Sequence, residues 1–311
     1  MATKHEDHLC FSGYQTWYRT CGDIRASVPV IIIHGGPGLA SEDMWPAQDM
    51  LAELDIPSII YDQIGNGRST HFPEKEGDTS FWTTGLFIEQ FDQLVSALGI
   101  KQYYIWGQSW GGMMGFMLAS DSKPRRTGLQ KLIVQGTPAS SATWVKAAQD
   151  LRAQLPEDVQ EVLLEHEQAG TFSDPEYQVA TWEYYKRHLC RLYPMPWNVF
   201  ETFVWAEKNP SVYKTMVGEN EFYCSGSLQD WSIKDDLHKI QVPVLYLSGE
   251  FDQATQAVVD EVRAGLKDMT WARIADASSM SHLEQPDAVR EALRKFLLPR
   301  SDLCANRWSL S

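Results

Sequence analysis

The chain has 311 residues, 43% hydrophobic and 22% charged, a composition that excludes a disordered protein and is large enough for one big α/β domain carrying an insertion. Lys and Arg number 27 against 41 Asp and Glu, a formal net charge of −14, which argues against nucleic acid and anionic membrane as partners. The one basic run, Lys123-Pro124-Arg125-Arg126, reads as a solvated turn. Residues 1–8 are polar and lack the apolar stretch of a signal peptide, and the longest apolar runs, 28–33 and 242–247, are only strand-sized. Five scattered cysteines (Cys10, Cys21, Cys190, Cys224 and Cys304) without Cys-x-x-Cys spacing indicate neither a disulfide framework nor a zinc site. The expectation is a soluble cytoplasmic protein, a monomer or small homo-oligomer, whose partner is a small molecule or short peptide.

In chain order, short β-branched runs alternate with helical patterns, the grammar of a mostly parallel sheet. Residues 11–20 read as an opening hairpin strand, and 28–33 as a strand buried on both faces. Residues 58–61 make another, followed by a loop at 62–69. Phe87, Ile88, Phe91, Leu94, Val95 and Leu98 form a helical stripe closed by Gly99. A strand at 103–106, a helix rich in Gly and Met at 110–120, and a strand at 129–134 follow. From 138 to 231 the strand signal stops, and helices are predicted at 142–155, 157–168, 176–192 and 197–208, broken by Pro156, Pro175, Pro194 and Pro196. Strands resume at 242–247 and 270–274, each followed by a helix (257–266 and 287–298), and the tail after Pro299 reads as loose.

The predicted architecture is therefore α/β, with helices on both faces of a mostly parallel sheet. Residues 1–137 and 232–311 form its core, and residues 138–231 an all-helical lid over the carboxyl ends of the strands, where functional sites sit. Fifteen of the 36 aromatic residues fall between Trp144 and Trp231. That is enough to build a core for the lid itself, or for Trp197, Phe203, Trp205 and Tyr223 to line an apolar substrate pocket.

Gly107-Gln108-Ser109-Trp110-Gly111 lies between an apolar strand and a small-residue helix, the context in which G-x-S-x-G marks a nucleophile elbow. Glycines are required because the turn is tight and flanking side chains would strike the neighbouring strand and helix. A serine there needs a base and an orienting acid, in the order Ser, acid, His. His282 stands between the last strand and the last helix, and Asp252 just beyond the 242–247 strand. His34 precedes the elbow, while Asp235 and Asp236 lie before the strand; Asp276 is nearer His282 but in a poorly defined loop. Catalytic Ser109, Asp252 and His282 are the expectation. The glycines of His34-Gly-Gly-Pro-Gly38 leave backbone amides free for an oxyanion, with Gly36 and Trp110 as the paired donors. No phosphate-binding or metal-ligand motif is present, so no cofactor and no metal are expected.

Together with Asp62-Gln-x-Gly-x-Gly-Arg-Ser69, Val217-Gly-Glu-Asn-Glu221-Phe, Asp230-Trp231 and Gly249-Glu-Phe-Asp252, these motifs resemble the proline iminopeptidase family of α/β-hydrolases, including the tricorn-interacting aminopeptidase. The likeness spans roughly residues 16–298. It implies an α/β-hydrolase fold and release of N-terminal residues, with lid and core carboxylates gripping the free amine. Glu221 matches one of those carboxylates, although a solvated lid residue is the other reading of it. The second position, directly after the triad Asp, holds Gln253 instead of an acid, and Glu250 is a possible compensating carboxylate. Substrate contacts are thus expected from Glu221, Gln253, Glu250, Trp205 and Tyr223. The leading expectation is a cofactor-free serine hydrolase of the aminopeptidase or amino-acid amidase type, working through an acyl-enzyme. The departure at Gln253 keeps alive an esterase, lactonase or amidase acting on an apolar specialised metabolite. A non-catalytic small-molecule receptor on the same fold would be marked by a missing triad member.

Overall fold

The computed structural model describes residues 2–11, 13–123 and 127–298. Most of the basic run, 124–126, and the tail from 299, including Cys304, lie outside the described residues. The chain opens as a hairpin of β1 (Lys4–Phe11) and β2 (Tyr14–Cys21), not the single strand read at 11–20, because Gly13 takes φ +91 and turns the chain. Strands β3 (Val30–Ile33) and β4 (Ser58–Tyr61) are buried throughout. Between them lies α1 (Trp45–Glu53), which the sequence reading missed: it buries only Ala47, Gln48, Met50 and Leu51, too short a stripe to show a period. Next come α2 (Thr84–Ala97), capped by the Thr83 hydroxyl, then β5 (Tyr103–Gln108), α3 (Trp110–Ser120) and β6 (Leu129–Gln135).

An insert follows β6. Its helices are α4 (Ser141–Arg152), α5 (Glu157–Ala169), α6 (Pro175–His188), α7 (Trp197–Lys208) and α8 (Ser211–Met216). It ends in a small hairpin of β7 (Gly218–Asn220) and β8 (Tyr223–Cys224), so the segment is not wholly helical as expected; two strands this short leave no alternation to read. The chain then returns to the sheet through β9 (Val244–Gly249), α9 (Gln256–Gly265), β10 (Met269–Ile274), the four-residue helix α10 (Ser281–Glu284) and α11 (Pro286–Leu297).

The eight-stranded sheet has the order β1-β2-β4-β3-β5-β6-β9-β10. Only the β1–β2 and β2–β4 pairs are antiparallel. From β3 the chain moves to β4 on one side and to β5 on the other, so the carboxyl ends of β3 and β5 open a crevice at the switch in strand order. Alternate strand residues feed opposite faces. Ile31, Ile33, Ile59 and Ile105 pack with Phe87 and Phe91 of α2 and Met114 of α3, while Val30, Ile32, Ile60 and Trp106 pack with Leu51 of α1 and Leu293 of α11. The insert has its own core, built from Tyr177, Tyr184, Tyr185, Phe222, Leu163 and Val199, and Met280 from the α10 approach closes it. Seven of its fifteen aromatic residues are used there. Among the described residues, no helix is long and apolar enough to cross a membrane.

Candidate active site

Ser109 sits between β5 and α3 with φ +51 and ψ −116, a left-handed conformation that costs an ordinary residue about 1–3 kcal/mol. Its neighbours have no room for a side chain. A Cβ on Gly107 would lie 2.2 Å from the Gly111 carbonyl oxygen, and one on Gly111 would lie 2.0 Å from that of Ile33. The Ser109 amide donates to the Gln135 carbonyl of β6 at 2.8 Å, locking the turn against the next strand. The strand-turn-helix expected from the motif is therefore present, and the turn's sterics dictate both glycines.

Directly beyond β3, Gly36 takes φ +114, and it lines two small cavities together with Ser109. Trp110 heads α3, where backbone amides have no intrahelical acceptor. Its indole N–H donates to Gln63 Oε1 at 2.8 Å, and Gln63 Nε2 donates in turn to the His34 carbonyl at 3.0 Å. His34 is buried beside them; its Nε2 accepts the Gln63 amide at 3.1 Å, so it is a scaffold residue. Gly36 and Trp110 thus flank Ser109, and the strand ends that carry them are cross-braced by Gln63.

The acid and base sides differ from the expectation. Asp252 is buried, and its carboxylate accepts from the amides of Ala254 (3.0 Å) and Gly249 (3.4 Å). Burial pushes its carboxyl up to about 7 against the pull of those amides. His282 bonds to neither Asp252 nor Ser109. The Trp106 indole donates to Gln135 Oε1 at 3.2 Å, which leaves Gln135 Nε2 to donate both to the Ser279 carbonyl (2.8 Å) and to His282 Nδ1 (2.9 Å). With Nδ1 accepting, Nε2 carries the proton and donates to the Asp43 carbonyl at 2.8 Å. Both ring nitrogens are consumed, the ring packs edge-on against Trp106, and burial pushes the imidazole down to about 4. His282 is the one histidine beyond Asp252, so chain order selects it, but α10 holds it buried against Trp106 and the Asp43 carbonyl.

From this loop Ser279, with Met280 beside it, lines the cavity shared by Ser109, Gln108, Gly36 and Glu221, and Ser279 is the one that carries a polar side chain. A methyl group on Gly136 would meet Ser279 Oγ at 3.1 Å and Asp252 Oδ2 at 3.2 Å, so the two lie on the same side of that glycine. The Ser279 amide donates to the His188 carbonyl and the Met280 amide to that of Leu189, pinning the loop to the end of α6. Sequence reading missed Ser279 and Gln135; the only signal for Ser279 was its place three residues before the sole histidine available.

Of the expected substrate contacts, Glu221 and Phe203 reach the cleft, and Glu221 lines both cavities that Ser109 lines. Burial alone pushes its carboxyl up to about 7, with no cation among the described residues drawing it down. Phe203 lines the smaller cavity and, with Leu39, also borders a larger one of about 610 Å³ between the inserted helices, walled by Tyr177, Trp182, Tyr185 and Tyr213. The other candidates are engaged elsewhere. Gln253 accepts from the Tyr184 hydroxyl at 2.7 Å and donates to the Trp144 carbonyl at 3.3 Å, tying the insert to the core. Glu250 is exposed and accepts from the Asp276 amide at 3.2 Å. The Trp205 indole donates to Glu42 at 2.9 Å and stacks near Arg68, which itself pairs with Glu42 and Asp62. Tyr223 is exposed and packs on Phe172, and Trp197 is 64% exposed at the rim.

A family model described as the alpha/beta hydrolase fold matches residues 28–286. A proline iminopeptidase of Lactobacillus crispatus is 30% identical over 295 residues, 94% of this chain and 97% of that protein. The solved structure of a proline iminopeptidase from Mycobacterium smegmatis superposes with a TM-score of 0.85 at 37% identity, covering 94% of this chain and 97% of that one. The crystal structure of VinJ superposes at 0.90 with 40% identity and the same coverage. The chain belongs to the α/β-hydrolase fold family and, within it, to the proline iminopeptidase family.

Proposed function

We propose that this chain is a hydrolase of the aminopeptidase or amino-acid amidase type, which takes a small amide or ester bearing a free amino group beneath the inserted helices. Ser109 is the nucleophile in this reading, and the amides of Gly36 and Trp110 receive the oxyanion of the acyl-enzyme path. The observation that carries it is Glu221, a desolvated carboxylate with no cation beside it among the described residues, lining the same cavities as the nucleophile. An ammonium fits that position because it pairs with a carboxylate that burial leaves uncompensated. The family's printed activity points the same way. A second reading, a receptor that binds without cleaving, is favoured by one observation: His282 is bonded away from Ser109.

Calorimetric titration with prolyl and alanyl anilides and their N-acetylated forms, alongside aniline release, tests this. Preferential binding and release with the free-amine set, lost in Glu221→Gln, is the expected result. Equal handling of both sets would discard the amine site and leave an esterase or amidase of apolar substrates. Binding of the free-amine set without any release would favour the receptor.

A further inference from the structure

We propose that Ser279 stands where the proton acceptor for Ser109 would have to be, so that this chain holds its acyl ligand far better than it turns it over. The inference rests on the preceding reading for the identity of the ligand, but not for the geometry. A base must reach both the nucleophile's hydroxyl and an orienting acid. The residue that meets both conditions is Ser279: it shares a cavity with Ser109, and its Oγ lies on the same side of Gly136 as the Asp252 carboxylate. A hydroxyl accepts a hydrogen bond but holds a proton poorly near neutral pH, so attack by Ser109 lacks the step in which its proton is taken up as the new C–O bond forms.

His282 is not a base awaiting a rotamer change. To reach Ser109 it would have to abandon the Gln135 and Asp43 bonds and its packing on Trp106. Gln135 would then be left with a buried donor unmet, which costs free energy of its own. The loop is also held from outside, by Ser279 and Met280 donating to the α6 end and by Ser278 Oγ donating to Glu284 at 2.8 Å. His282 is thus a structural residue, tied through Gln135 to the loop that carries Ser279.

Aminoacyl p-nitrophenyl esters give the test, read as stopped-flow p-nitrophenol release and as intact-mass detection of the Ser109 acyl adduct, with prolinamide affinity by calorimetry. His282→Gln is expected to melt at lower temperature, yet to keep prolinamide affinity and release within about threefold of the parent between about pH 5 and pH 9. Ser279→His places an imidazole beside Asp252, able to take the Ser109 proton on attack and to return it to the leaving group. Release should rise by about a hundredfold or more, with a new inflection near pH 6–7. A loss of about a hundredfold in His282→Gln with prolinamide affinity intact would overturn the proposal, and so would a well-folded Ser279→His variant with no gain. If Ser279→His fails to fold, the His282→Gln rates decide alone. Should prolinamide and its N-acetyl form bind equally, the amine reading falls, while rates on an acetyl ester still judge the base.

Discussion

At the β5 end of the cleft the backbone fixes the chemistry. Ser109 is held in a left-handed conformation between Gly107 and Gly111, each of which would collide with main chain if it bore a side chain. At the β9 and β10 end, side-chain hydrogen bonds do that work: Gln135, His282, Glu284 and Gln253 tie loops together, and Asp252 rests on two amides. Backbone sterics leave a mark on the sequence, because only one residue type is tolerated. Side-chain networks do not, because many residues satisfy a hydrogen bond. Ser109 was therefore legible and Ser279 was not.

The difference predicts how each end fails. Gly111→Ala forces a Cβ into the Ile33 carbonyl and should cost more than about 4 kcal/mol, seen as loss of the cooperative urea transition. Ordinary stability in that variant would break the claim that sterics set the elbow. Gln135→Leu leaves the Ser279 carbonyl, His282 Nδ1 and the Trp106 indole without their partner, a cost of about 2–5 kcal/mol by denaturant melting. A smaller loss would mean that the network is slack.

The cleft itself gives a gentler effect. Glu221→Gln should weaken prolinamide about 10–100-fold, roughly 1.4–2.8 kcal/mol, and leave the N-acetyl form unchanged. In the parent, Glu221 must shed its proton to meet an ammonium, so affinity should tighten as pH rises from about 6 to about 8. Asp252 ionises over the same range and adds to the trend, whereas burial keeps Tyr184, Tyr185 and Tyr213 protonated. A flat profile in calorimetry would remove Glu221 from the amine site. The smallest effect is expected from Trp205→Phe, which loses one bond to Glu42 and about 1 kcal/mol of thermal stability, with ligand affinity intact.

Much of the fold could be read in advance because it rests on periodicity. The buried strands are continuous apolar runs, and α3 and α7 begin and end where their patterns do. What escaped was short or local: α1, the 218–224 hairpin, and the four-residue α10 that turns His282 away from the cleft. At the site, Ser109, Gly36 and Glu221 share cavities as the motifs implied, while Trp205, Tyr223 and Glu250 do not line them. An aromatic or an acid in the right segment says nothing about which way it points; that depends on partners such as Arg68 and Glu42, far off in sequence.

Arg68 illustrates what such partners achieve. It bridges Glu42 and Asp62, both fully enclosed, while its guanidinium lies 4.7 Å from the Trp17 ring, 4.9 Å from Trp45 and 5.7 Å from Trp205 of the insert. Mobile ions screen charges that face solvent over about 8 Å at physiological strength, but have little access to the two enclosed carboxylates that Arg68 bridges. The seating of the inserted helices at this corner should therefore depend less on ionic strength than a surface ion pair would.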